Sequence, residues 1–424
     1  MIVIGKVIMN RLLQALKMLG PGLLFAGAAI GVSHLVQSTR AGADFGFALI
    51  WLVLLTNFLK YPFFEYSHRY TAATGESLLN GYKRMGSWAI ISFTILSLVS
   101  SFITISAIAL VTTGLTENLF GTGLSIIQLC TILLVLIVAI LVIGKYRLLE
   151  NMMKVMIVIL SITTVVALAA AVQHGSNVKP GFVHPDLLTT VGIGFMLALM
   201  GWMPAPIEVS VWPSLWTLER EKNTRHTASL KESLTDFYIG YISASALAVV
   251  FLSLGALVMY GTGETFSNSG TVFASQLVHL YTQSLGKWSF IFISVAALIT
   301  MFSTLITVLD AYPRVLSGCA SLIFDHPFFQ KMGYAYWLWV TLFTIGTLLI
   351  ITFFTSSMKN LVDIATILAF LTAPLFAWLN LRTVTGKNIP TEFQPPSWLK
   401  GISYVGFVYL LGFGVYYLYV RVMW

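Results

Sequence analysis

Eleven apolar runs, each about the 20 residues that a helix needs to cross a bilayer, divide the chain almost from end to end. They lie near residues 20–40, 45–67, 87–112, 123–144, 151–172, 188–211, 237–261, 288–312, 334–356, 359–381 and 401–422. A chain partitioned in this way is expected to fold as an all-α polytopic membrane protein. Composition points the same way: 57% of the 424 residues are hydrophobic and only 9% charged. Soluble proteins carry about 25% charged residues, so too little polar surface is left here to face water. The aromatic share of 13% suits side-chain belts at the two bilayer interfaces.

The cations set an expected orientation. With the N-terminus in the cytoplasm, Arg40, Lys179, Lys287, Lys359 and Arg421 fall outside. The other 19 of the 24 Lys and Arg, Lys60 and Arg69 among them, fall on the cytoplasmic side, as the positive-inside rule requires. The C-terminus then lies outside, and the chain is expected in the cytoplasmic (inner or plasma) membrane. The net charge of +8 is therefore read as membrane topology, with no nucleic-acid partner. Residues 1–19, with a hydrophobic patch at Ile2–Val7 and cations at Lys6, Arg11 and Lys17, lack the signal-peptide pattern. They read as a cytoplasmic segment lying on the membrane. Neither Gly75-Glu76 nor the Gly121-Thr122-Gly123 stretch continues into a phosphate loop, which argues against ATP-driven pumping by this chain. No enzymatic motif or cofactor site is read. Cys130 and Cys319 form no CxxC pair and read as inert small residues.

Two spans are interrupted, five apart. The first reads Gly20-Pro-Gly-Leu-Leu-Phe-Ala-Gly-Ala-Ala-Ile-Gly-Val-Ser-His34 and the sixth Met200-Gly-Trp-Met-Pro-Ala-Pro-Ile-Glu208. Pro204 and Pro206 remove backbone donors, and Gly31 with Ser33 weakens helix continuity. Unsatisfied backbone cannot face lipid, so such breaks face protein or a watery cavity. Matching breaks in two halves are the sequence mark of a transporter site near the bilayer midplane. Residues 20–172 and 188–381 are then expected to be two inverted repeats of five helices, with 401–422 added as an eleventh.

The stretch Gly20–Trp51 resembles the first span and following loop of the NRAMP (natural resistance-associated macrophage protein) divalent-metal transporters. The matching residues are Gly20-Pro21-Gly22, Ala41-Gly42, Gly46 and Leu49-Ile50-Trp51. Ser67 to Leu78, with its Thr74-Gly75 turn, Ala107-Ile-Ala-Leu110 and Met203-Pro204 fit as well. The resemblance spans essentially the whole chain and implies the LeuT-type fold with discontinuous helices 1 and 6. It also marks departures. The family's Asp-Pro-Gly-Asn motif, whose Asp and Asn bind the metal, is Gly31-Val32-Ser33-His34 here. The Met-Pro-His motif keeps Met203 and Pro204 but has Ala205, and a second His becomes Ser210. Acidic positions of the third span are Val99 and Phe102, and a Gln of the tenth is Thr366. Met200 stands where the family contributes a backbone carbonyl.

Gly31, Ser33, His34, Met203, Glu208 and Thr366 are accordingly the expected substrate-binding positions. Transition metals take imidazole, thioether and carboxylate ligands, so His34, Met203 and Glu208 are the candidate metal set. Glu208 is an intramembrane carboxyl, and such groups are functional by default. His34 is also the candidate proton-responsive group, with an ordinary pKa near 6.5. Asp310 with Arg314 one turn later, and Asp363 near Lys359, read as interfacial pairs. Glu65, His68 and Arg69 read as a gate or a solvated helix end, and Arg40 as a partner of Asp44.

The expected function is secondary active transport by alternating access, carrying a divalent metal cation by the resemblance. An alternative is a small organic solute such as an amino acid, received by the backbone amides around Gly27–Gly31 and a pocket lined by Trp202 and Trp212. A non-transporting, receptor-like membrane protein is a third class; the retained helix breaks speak against it. The expected partners are the transported ion or solute and the lipid bilayer. No oligomeric state follows from the sequence, and a monomer is compatible with it.

Overall fold

The computed structural model describes residues 20–143, 146–175, 178–330 and 332–423; the expected N-terminal segment, 1–19, lies outside them. The described residues form helices and connecting turns, with no strand among them. In chain order they are α1 (Pro21–Ala29), a π-helical stretch (Ser33–Ser38) running into α2 (Thr39–Phe45), α3 (Ile50–Thr74), α4 (Leu78–Met85), α5 (Ser87–Phe120) and α6 (Ile126–Ile143). Next come α7 (Tyr146–His174), α8 (Thr190–Gly201), a 3-10 turn (Ile207–Ser210), α9 (Val211–Thr224), α10 (Leu230–Val258) and α11 (Gly270–Leu285). The last are α12 (Phe290–Ile323), α13 (Pro327–Gln330), α14 (Met332–Phe354), α15 (Met358–Val384) and α16 (Ser397–Met423).

Among the described residues eight helical stretches are long and apolar enough to cross a membrane. The first of these, Ser33–Thr74, joins the second half of the interrupted first run to the second run. The sixth run is divided between α8 and the turn that leads into α9, and the fifth is α7, whose described apolar part is Ser161–Gln173. One cation departs from the expected cytoplasmic set. Lys60 falls inside the run near 45–67, in the middle of α3, and is fully buried. It is no loop residue, and it carries no topological charge.

The helix limits follow from local chemistry. α3 stops at Gly75, whose φ of +65° a side chain would strain and whose N–H donates to Thr71 O at 2.8 Å. α10 starts in a capping box, in which Ser229 and Glu232 exchange side chain to backbone hydrogen bonds.

α10 is the platform on which both halves of the first span rest. A Cβ on Gly22 would lie 2.2 Å from Asp236 O, and one on Gly240 would lie 2.1 Å from Gly22 O. Further along, a Cβ on Gly42 would lie 1.9 Å from Leu252 O and one on Gly255 2.2 Å from Thr39 O. Only glycine permits these approaches, the usual way that helices meet closely in lipid. The carboxylate of Asp236 also accepts from Gly20 N–H at 3.1 Å and Gly22 N–H at 2.8 Å, which satisfies two free amides at the start of α1. The Gly20-Pro21-Gly22 and Ala41-Gly42 motifs are thus the two contact points of one broken span with one continuous helix.

Candidate functional site

α1 loses its helical path at Ile30, whose ψ of 73° is non-helical, and helix resumes only after Gly31. α8 ends at Gly201, and Trp202 to Pro206 run without regular structure because neither Pro204 nor Pro206 has an N–H to donate. The two breaks meet. Ala28, Ala29, Val32 and Ser33 from the first and Trp202, Pro204, Ala205 and Pro206 from the second line one cavity of about 30 Å³. Val209 and Trp212 extend its wall, Thr104 and Ile108 of α5 and Thr304, Val308 and Tyr312 of α12 complete it. The lining is apolar and aromatic with a few hydroxyls, and the space is enough for a few water molecules at most. Nearly all the lining side chains are buried in this conformation.

The expected site residues divide. Ser33 lines the cavity, and its hydroxyl donates to Ala29 O across the break. Gly31 backs onto α12, where a Cβ would lie 2.9 Å from the side chain of Thr304. Glu208 is buried one hydrogen bond behind the wall. Its Oε1 accepts from Ser100 Oγ and from Tyr312 OH, both at 2.7 Å, while Oε2 has no hydrogen-bond partner.

His34, Met203 and Thr366 turn elsewhere. His34 Nε2 donates to Ala244 O of α10 at 2.8 Å, Nδ1 pairs with Ser33 Oγ at 2.7 Å, and the ring stands edge-on to Phe251. Met203 is buried with Sδ accepting from Ser38 Oγ at 3.8 Å. The Thr366 hydroxyl accepts from Gln37 Nε2 at 3.2 Å, and its carbonyl sits where a Cβ on Gly201 would fall. His34, Met203 and Glu208 therefore engage three separate sets of partners. Among the described residues no group of three or more His, Cys, Asp and Glu side chains is placed to hold a metal ion. Cys130 and Cys319 are buried free thiols on α6 and α12.

Lys60 is the residue that the sequence reading missed. Its Nζ donates to Met200 O at 3.1 Å, Gly201 O at 3.0 Å and Ala205 O at 2.7 Å, so it bridges the broken end of α8. The signal was present: a lysine inside Phe58-Leu-Lys-Tyr-Pro-Phe-Phe64 is an intramembrane charge, which calls for a partner. Ser210, at the second family His position, accepts from Asn380 Nδ2 at 2.7 Å, and Asn380 also donates to Phe63 O.

Three ion pairs lie outside the cavity lining, one between elements and two each within a single helix. Arg40, expected to pair with Asp44, instead forks onto Asp363 of α15 at 2.7 and 3.2 Å, and Gln37 donates to the same carboxylate at 3.1 Å. Asp363, expected beside Lys359, is claimed by this arginine, while Lys359 donates to Phe266 O. The cause is geometric: Gln37 and Arg40 lie one turn apart on one face, so both reach α15. Arg69 Nε donates to Glu65 Oε1 at 2.6 Å, and Glu65 also accepts from Tyr61 and, at 3.0 Å, from Tyr238 of α10. Asp310 accepts from Arg314 at 2.7 Å and from Tyr336 of α14 at 2.8 Å.

A family model described as natural resistance-associated macrophage protein-like matches residues 22–420. The chain belongs to the Nramp family. An uncharacterized protein of Pasteurella multocida (strain Pm70) is 34% identical to it over 413 residues, covering 96% of this chain and 93% of that protein. A variant of the Eremococcus coleocola manganese transporter superposes with a TM-score of 0.65 at 14% identity, covering 93% of this chain and 84% of that one. Mhp1, a nucleobase-cation-symport-1 family transporter in a closed conformation with bromovinylhydantoin bound, gives 0.59 at 15% identity, covering 95% and 92%. The Nramp chain described here accordingly has the LeuT-type transporter fold and is a multi-pass membrane protein of a transporter family, not an enzyme. Thr304 fills the space in front of Gly31, and Lys60 takes the Met200 carbonyl.

Proposed function

We propose that this Nramp-family chain is a secondary active transporter that carries a small organic solute by alternating access at the junction of its two helix breaks. The observation that carries the reading is the cavity wall, built from Trp202, Trp212, Tyr312, prolines and alanines without a cluster of metal-ligating side chains. A bare divalent cation needs hard oxygen or imidazole ligands to replace its water, whereas a compact organic molecule gains from apolar and aromatic walls with a few hydroxyls. The Lys60 ammonium lies on the backbone of the segment that forms one wall, and its charge repels a divalent cation. Mhp1, on the same fold, has bromovinylhydantoin bound.

The two five-helix units, 20–172 and 188–381, act as inverted repeats in this proposal, and the chain sits with its N-terminus in the cytoplasm. The cavity opens first to one side and then to the other. Divalent metal transport is the second reading. It is favoured by Met203 at the family's methionine position and by the unpartnered Oε2 of buried Glu208.

The test is a thermal-shift screen of the purified chain against amino acids, small carboxylates and nucleobase analogues, with Mn²⁺ alongside, followed by uptake of any hit into proteoliposomes. An organic compound that stabilises the protein and is accumulated is the expected result. Saturable stabilisation and uptake of Mn²⁺ alone would replace the proposal with the metal reading.

A further inference from the structure

Lys60 has a chemical role that does not depend on the cargo. It is fully buried in α3, and none of the ion pairs among the described residues includes it. Its three partners are all backbone carbonyls, those of Met200, Gly201 and Ala205. Met200 and Gly201 end α8, where the last carbonyls lack the amides of a following turn and carry the negative pole of the helix dipole; Met200 O accepts a long bond from Met203 N–H at 3.4 Å. The break makes the shortage worse, because Pro204 and Pro206 supply no N–H.

A converging set of carbonyls at a helix C-terminus is a site for a monovalent cation. An ammonium has three N–H donors and no acceptor, and here three oxygens between 2.7 and 3.1 Å receive them. A neutral amine has two N–H groups, and its lone pair would be turned against the third oxygen. The donor count therefore matches the charged form, with the missing acid partner replaced by carbonyl dipoles.

We infer that Lys60 is a resident cation, tethered to α3, that occupies the carbonyl site at the broken end of α8 in place of an inorganic ion. Three consequences follow. The break stays organised without bound Na⁺ or K⁺. The cycle needs no inorganic cation at this position. Removing the side chain leaves a vacant monovalent-cation site.

The experiment measures the thermal midpoint of the full-length chain in detergent, in NaCl, KCl, methylammonium chloride and choline chloride at equal ionic strength. The wild-type chain is expected to give the same midpoint in all four. Lys60→Ala is expected to have a lower midpoint in choline, with a saturable rise of several degrees in Na⁺, K⁺ or methylammonium. Lys60→Met, which keeps an apolar stem in the space, is expected to stay low in all four salts. A saturable rise of the wild type in Na⁺ or K⁺ over choline would overturn the inference, and this arm stands even if a variant cannot be purified. A Lys60→Ala chain that matches the wild type, or that is low and answers to none of the three cations, would overturn it too.

Discussion

Gly31 and Thr304 are a fitted pair: a Cβ on the glycine would stand 2.9 Å from both Oγ1 and Cγ2 of the threonine. The Thr304 hydroxyl is held in turn by Thr300 O at 3.0 Å and Gly27 O at 3.3 Å, so it does not swing away freely. Placing an acidic residue there, Gly31→Asp, is therefore expected to overpack the break and cost about 1–3 kcal/mol, read as a lowered thermal midpoint in detergent. Thr304→Ala clears the space, and the Gly31→Asp/Thr304→Ala double variant is expected to recover most of the loss. Equal midpoints for Gly31→Asp and the wild type would show that the pair is not sterically coupled.

Glu208 ties the second break to α5 and α12 through Ser100 and Tyr312. Glu208→Ala leaves two buried hydroxyls without their acceptor, which costs about 1–3 kcal/mol. Glu208→Gln keeps one acceptor oxygen and is expected to hold a midpoint near the wild type while reducing uptake strongly, since the charge is gone and the shape remains. Normal uptake by the Gln variant would make Glu208 a purely structural residue.

His34 spends both ring nitrogens inside the protein. His34→Ala is expected to lower the midpoint by loosening the first span on α10 and to leave ligand titrations of the remaining folded protein unchanged. Loss of binding with an unchanged midpoint would contradict that placement and return His34 to the ligand set.

The fold was legible in the sequence because each apolar run is longer than any competing signal, and proline with glycine marked both breaks. The helix over 270–285 was not marked out, because an amphipathic surface segment has no long run. Phe273, Leu277 and Leu280 at helical spacing after Ser269 are its signature, and all three are buried. The candidate site was legible only in part. The break positions follow from backbone chemistry, and Ser33 at the cavity follows from its place in the first break. What each side chain faces depends on neighbouring helices. Ala244 drew His34 away, and Asp363 drew Arg40 from Asp44, partners 210 and 323 residues distant in sequence. Lys60 was counted with the cytoplasmic cations although it lies inside the run near 45–67, so its need for a buried partner was not drawn.

Arg40 and Asp363 hold the second half of the first span to α15. Asp363→Asn is expected to loosen that hold and Arg40→Asp/Asp363→Arg to restore part of it. The readout is the rate at which a cysteine placed at Ser33 reacts with a small maleimide. An unchanged rate in Asp363→Asn would show that this pair does not govern access there.

Two-sided access to the junction of the breaks can be measured on Val32→Cys, with Cys130 and Cys319 replaced by Ser, in vesicles of defined orientation. A membrane-impermeant maleimide is applied from each face in turn. Alternating access predicts labelling from both faces, in separate experiments, at rates that a bound cargo changes in opposite directions. Labelling from one face only, whatever the conditions, would contradict a transport path through this cavity.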